Sequence, residues 1–522
     1  MSKLPLSRRA FFAFALLLAG APLFSATKAP PAPVEPAATS VAELRAQVET
    51  LVNAPRFAGA LWGVKVVSLD SGRTLVEHHA DRLLSPASNC KLFSGALALD
   101  RLGGDYRIVT PILATAKPDA AGLVAGNVVV SGRGDPTWTS RRPKQDFWSA
   151  FEPFVAALQK AGVRSIAGDL VADATWLRQT PHGAGWAADD LNDSYGAELS
   201  AVTLDDNYAD LNVTPAATAG GPCTLALAQP LTGLVLENRT QTVAAEGARR
   251  ISALRLPGEN TVYVYGTLPV GGKPDVVELP VPRPAQWFAA GLKEALARRG
   301  IAVAGRAYGV RWPEAPVAGA TVRLGEVTSP PLREIVTGFM KPSQNLWTDL
   351  IFAQVGEWAR PAEASAWRTT DACALVALQA FLREHGIPTE AVRFEEGSGL
   401  SRNNLTTAAA IVALLQTMAK HRAAGDFAAS LPIGGVDGTL RNRLKGPPTE
   451  GNVRAKTGTL RWASALSGYL TTAAGERLAF SLMLNRHVAT PERSARAEID
   501  AIVQMLARCT GKSAPAEAGA HE

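Results

Sequence analysis

The chain has 522 residues, too many for one ordinary domain, and its 47% hydrophobic content supports a large core, which excludes a disordered protein. Its formal charge of +6 is small for this size and no block of like charges occurs, so no nucleic-acid partner is expected. The mild basic excess would suit an anionic polymer.

Lys3, Arg8 and Arg9 precede an apolar run from Phe11 to Phe24, with Ser25 and Ala26 beyond it, which predicts a signal peptide over residues 1–27. The run is too short to span a bilayer comfortably. Ser7-Arg8-Arg9-Ala10-Phe11-Phe12 has the form of a twin-arginine export signal, and an ordinary Sec signal holding two arginines fits equally well. No cysteine precedes Cys90 to carry a lipid, and no later segment is apolar enough to span a membrane. The expectation is a periplasmic protein without a stable membrane anchor. Residues 28–38, rich in Pro and Ala, read as a flexible spacer.

Leu61–Val67 and Thr74–His79, separated by the turn Asp70-Ser71-Gly72, predict a β-hairpin. Lys91–Leu102 has helical periodicity behind the start signal Pro86. From Tyr106 to Gly325 short β-like runs dominate (Gly126–Ser131, Thr261–Thr267, Val276–Val281), interrupted by helices near Phe147–Ala161 and Pro284–Arg299. Helices then follow at Pro331–Phe339, Asn345–Ala359, Thr370–His385 and Thr406–His421. Three antiparallel strands follow these (Val453–Leu460, Ala465–Thr472, Arg477–Asn485), and a helix over Pro491–Arg508 closes the chain. This order predicts an α+β domain in two segments, 39–105 and 326–512, interrupted by one or two β-rich inserted domains over 106–325 and followed by a flexible tail over 513–522. Because the two segments must meet, the insert should loop out with its ends together, as a modular and non-catalytic body.

Three short patterns occur in order: Ser88-Asn89-Cys90-Lys91, Ser343-Gln344-Asn345 and Lys456-Thr457-Gly458. Each alone is common; Ser25 with Lys28, and Ser401-Arg402-Asn403, repeat two of them. Their settings differ, however: a hairpin-to-helix junction, a loop between helices, and a strand. Residues three apart share a helix face, so Lys91 can reach the Ser88 hydroxyl. Serine needs a base to become a nucleophile, and a lysine serves if burial and a neighbouring cation, here Lys456, keep it neutral. Gly458 would clear room for a substrate strand beside Thr457 and Thr459. The amides of Ser88 and Thr459 are candidates for an oxyanion hole.

The three motifs together match those of penicillin-binding proteins and class A β-lactamases. The chain resembles the class C low-molecular-mass penicillin-binding proteins, the D-alanyl-D-alanine carboxypeptidase/endopeptidase family. Glu396-Gly397-Ser398-Gly399-Leu400-Ser401-Arg402 is similar to that family's Asp-Gly-Ser-Gly-Leu-Ser-Arg, and Leu431-Pro432-Ile433-Gly434-Gly435-Val436-Asp437-Gly438-Thr439-Leu440 to its Leu-Pro-x-x-Gly-x-Asp-Gly-Thr-Leu. Glu396 replaces the usual Asp, and Gln344 stands where Asp is frequent. The resemblance implies a penicillin-binding/β-lactamase-like transpeptidase domain, an antiparallel sheet plus a helical subdomain. It also implies hydrolysis of peptidoglycan stem peptides and cross-links through an acyl-enzyme, with β-lactam antibiotics as covalent inhibitors and no metal or cofactor. It gives Ser88 the attack, Lys91 its proton, Ser343 and Lys456 a relay to the leaving D-alanine, Asn345 the substrate amide, and Thr457 and Thr459 the terminal carboxylate. A β-lactamase shares the triple, but no Glu-x-x-x-Asn segment follows Ser-x-Asn here. A non-catalytic wall-binding protein would not need the triple intact.

Other candidates read as structural. Cys90, Cys223, Cys373 and Cys509 lack metal-ligand spacing; they allow three disulfide pairings between which the sequence does not choose, and buried free thiols are the expected reading. The seven histidines form no triad and are expected at the surface, and Asp189-Asp190 and Asp205-Asp206 are expected as loop charges.

Overall fold

The computed structural model describes residues 36–488, 490 and 493–514, so the signal segment, most of the spacer and the tail from 515 lie outside the described residues. Ala38 is buried and its carbonyl accepts from Thr510 N, and Ser513 bonds Glu476, so both ends of the described chain are tied down. Among the described residues, no helix is long and apolar enough to cross a membrane.

The first and last parts of the chain build one five-stranded antiparallel sheet. Its order is Arg454–Leu460, Ala463–Thr471, Arg477–Asn485, Leu61–Ser68, Thr74–His78. Side chains alternate across a strand, and here both faces are covered. Leu478, Phe480 and Leu482 pack with the terminal helices Val41–Val52 and Ala495–Arg508. Ala479 and Met483 face the opposite core, with Phe93, Leu97, Ile411 and Leu414. That is why Leu478–Leu484 is buried throughout and apolar except for Ser481. Helix Cys90–Arg101 is buried on all sides through Leu99, as an apolar helix in the middle of a core must be. Arg454–Leu460 lies at the sheet edge.

The intervening chain forms two bodies. One is a mixed five-stranded sheet (Ala307–Arg311, Leu170–Ala174, Val128–Ser131, Val109–Ala114, Val322–Thr328) with helices Glu152–Lys160 and Pro284–Arg298. The other pairs two three-stranded sheets around Leu211, Val213, Val262, Val264 and Leu268. The two ends of this stretch are neighbours: Val109 pairs with Thr328, and Ser329 N donates to Ile108 O at 2.9 Å.

The stretch is packed into the rest of the fold. From Ala37 onward the chain forms one compact unit. Helix Asn345–Trp358, expected to belong to the first domain alone, gives Leu346, Leu350 and Ala353 to the core of the intervening sheet, and its Trp347 Nε1 donates to Asp206 Oδ1 at 2.6 Å. A helix buried on two sides serves two cores, and its sequence alone does not say which ones.

Candidate active site

Pro86 and a left-handed Ala87 (φ 48°) turn the chain into a 3-10 turn, Ala87–Asn89, which runs directly into helix Cys90–Arg101. Ser88 sits on that turn, half-buried. One helical turn on, Lys91 is fully buried, and each of its three N–H groups has an acceptor: Ser88 Oγ at 3.1 Å, Asn345 Oδ1 at 2.7 Å and the Ser398 carbonyl at 2.6 Å. Asn345 begins the helix after Ser343, whose backbone is left-handed at φ 70°. Ser343 Oγ accepts from Lys456 Nζ at 2.8 Å, and Lys456, also fully buried, spends a second N–H on Thr457 O. The three motifs therefore meet as two serine–lysine couples. Thr457 Oγ1 bonds Thr439 Oγ1 at 2.8 Å, while Thr459 is exposed at the strand edge.

Gly458 lies against the nucleophile turn. A Cβ there would lie 2.4 Å from Pro86 O, so the crowding comes from the nucleophile turn itself. Gly399, left-handed at φ 87°, clears the same turn from the other side, where a Cβ would meet Ala87 O at 2.1 Å.

Burial pushes Lys91 down to about 8, against the attraction of Asp349 and Glu396. Burial, and then the charge of Lys91, hold Lys456 well below the usual lysine range. The expected repulsion between the two cations thus falls on Lys456, and burial governs Lys91. Cys90 is buried, its thiol pushed well up by burial, and Asn89 turns away to Ser467 Oγ at 2.9 Å. All four cysteines are free and buried.

A cleft of about 380 Å³ opens over Ser88, lined by Ser343, Asn345, Tyr195 and Arg402 among others. Tyr195, Asp189 and Asp190 of its wall come from the intervening chain, which sequence reasoning kept out of the site. Tyr195 O accepts from Asn345 Nδ2 at 3.0 Å. Asp190 is buried and paired with Arg402 at 3.2 Å, and Asp189 pairs with Arg461 at 2.8 Å. Asp205 is buried as well, accepting from Ser140 N and Oγ, both at 2.6 Å, and Asp206 is half-buried against Trp347. These acids read as loop charges because their arginine, serine and tryptophan partners are distant in sequence. Among the described residues, no group of three or more His, Cys, Asp or Glu side chains is placed to hold a metal ion. His421 is nearly buried against Asp100 at 3.0 Å, not at the surface, and no described histidine lines the cleft.

The model of the family D-Ala-D-Ala carboxypeptidase 3 (S13) matches residues 44–509. A D-alanyl-D-alanine carboxypeptidase of Actinomadura sp. (strain R39) is 35% identical over 93% of this chain and 88% of its own. The crystal structure of penicillin binding protein 4 from Haemophilus influenzae superposes with a TM-score of 0.74 at 25% identity, covering 88% of this chain and 97% of that one. The same protein complexed with a β-lactam gives 0.69, at 25% identity, covering 88% and 98%. With the family model spanning both ends of the sheet and everything between, the chain belongs to the S13 family and is a serine-type D-Ala-D-Ala carboxypeptidase of the penicillin-binding fold.

Proposed function

We propose that the chain hydrolyses the D-Ala-D-Ala bond of peptidoglycan stem peptides, and the cross-links derived from it, through an acyl-enzyme on Ser88. The carrying observation is the fully buried Lys91, whose Nζ lies 3.1 Å from Ser88 Oγ and is oriented by Asn345 and Ser398. With its proton lost, Lys91 takes the Ser88 proton as the hydroxyl oxygen attacks the carbonyl. The amides of Ser88 and Thr459 are the oxyanion donors. Ser343 and Lys456 pass a proton to the departing D-alanine nitrogen, and water then cleaves the ester. Asn345 Nδ2, with one N–H on Tyr195 O, keeps a second for the substrate amide. Gly458 lets the edge strand lie close enough for Thr457 and Thr459 to hold the terminal carboxylate.

β-Lactams that mimic D-Ala-D-Ala acylate the same serine. The basic and apolar N-terminus supports export to the periplasm. The reading is tested by labelling with a tagged penicillin and locating the adduct by mass spectrometry. Ser88 carries it and Ser88→Ala abolishes it; undiminished labelling of that variant sinks the assignment. Incubation with a D-Ala-D-Ala muropeptide and with a cross-linked dimer then separates carboxypeptidase from endopeptidase products.

A further inference from the structure

Two buried carboxyl groups stand behind Lys91. Asp349 lies one helical turn beyond Asn345, and Glu396 opens the loop that follows strand Val392–Arg393; each is 4% exposed. Both carboxyls hold the same tight turn. Asp349 Oδ1 accepts from Gly397 N at 2.9 Å and Ser398 N at 3.0 Å. Glu396 Oε2 accepts from the amide and hydroxyl of Ser398. Its Oε1 accepts from Gly399 N, Ser401 N and, at 2.6 Å, Asn404 Nδ2. The Ser398 carbonyl that emerges from this turn is the one holding Lys91 Nζ at 2.6 Å.

Three of the four carboxyl oxygens therefore have donors. The fourth, Asp349 Oδ2, is shut off from solvent and has none. A buried anionic oxygen without a donor is costly, and two carboxylates in one dry site cannot both ionise cheaply. A proton on that oxygen relieves both costs, since it removes one of the two buried charges.

We propose that Asp349 and Glu396 hold one proton between them, carried on Asp349 Oδ2, and act as positioning residues that fix the Ser398 carbonyl on Lys91 and present Lys91 with a single negative charge. The inference rests on Lys91 being the base for Ser88. Burial, and then Glu396, push Asp349 well above the usual carboxylate range, in the same direction. The other titratable groups around Lys91 are Cys90 on its own helix and Lys456 on the edge strand; both are buried. Among the described residues around Lys91, Glu396 is then the one lasting anion beside the base. When Lys91 accepts the serine proton, its new charge meets one carboxylate charge in a site that need not reorganise.

The test measures the second-order rate of Ser88 acylation by benzylpenicillin, on the full-length chain, across the pH range either side of about 8, where Lys91 titrates. Glu396→Gln removes the counter-charge and moves the acid limb down by about one pH unit or more. Glu396→Asp restores the limb to its wild-type position, whatever its rate. Asp349→Asn offers an N–H where the shared proton stood and leaves the limb in place. Infrared spectroscopy reads the proton directly: the carbonyl stretch of a protonated carboxylic acid is present in the wild type and absent in Asp349→Asn. A limb that moves down in Asp349→Asn means that both groups are ionised, and overturns the proposal. A limb unmoved in Glu396→Gln overturns it too. If Glu396→Gln does not fold, the Asp349→Asn limb and the infrared band decide alone. Undiminished labelling of Ser88→Ala would instead overturn the site reading beneath it.

Discussion

Residues 109–328 leave and re-enter the peptidase fold side by side, with Ser329 N on Ile108 O, so a short Gly/Ser linker could replace them without straining the backbone. The energetics oppose that deletion. Helix Asn345–Trp358 buries Leu346 and Leu350 in the core that would be removed. Exposing both costs about 3–6 kcal/mol at about 1.5–3 kcal/mol per side chain. Losing the Trp347–Asp206 hydrogen bond adds about 1.5 kcal/mol or more, as bonds to charged groups do. Against a typical total of about 5–15 kcal/mol, the loss is large, and it falls on the helix that carries Asn345 and follows Ser343. Asn345 also loses Tyr195 O. The expected outcome is a variant unfolded or strongly destabilised in urea, followed by tryptophan fluorescence, with penicillin acylation at Ser88 lost or severely slowed. A deletion variant with the full-length unfolding midpoint and wild-type acylation rate would refute this reasoning and restore the modular view.

Further outcomes follow from the same geometry. Acylation by penicillin should fall about tenfold per pH unit below about 8 and level above it, because only neutral Lys91 can take a proton and burial holds it near that value; a stopped-flow pH series reads this. Gly458→Ala drives a Cβ against Pro86 O and should displace Ser88, costing about 10²-fold in acylation rate, measured on protein shown by circular dichroism to be folded. Thr439→Val removes the Thr457 hydroxyl's partner and should cost about 1 kcal/mol, roughly fivefold, in kcat/KM for a D-Ala-D-Ala peptide. A thiol reagent should find no reactive cysteine in the native protein and four after denaturation, since all four are free and buried.

The reacting groups were legible in the sequence because their chemistry is local. Ser88 and Lys91 are one helical turn apart, and Lys456-Thr457-Gly458 is a continuous strand segment, so spacing alone placed each on an element. The strands that close the chain showed as apolar runs for the same reason. What the sequence could not order was anything that depends on a partner far along the chain. It did not reveal helix Val41–Val52, whose burial comes from lying on the sheet beside Ala495–Arg508. It did not show that Gly458 yields to Pro86, or that Asp190 pairs with Arg402. Nor did it show that Asp349 and Glu396 close on the same turn. A buried charge or a crowded glycine is defined by what surrounds it, and those neighbours meet only when segments far apart along the chain pack together. Motif spacing thus determined which atoms could react, while tertiary packing decided how dry, how crowded and how charged their surroundings are.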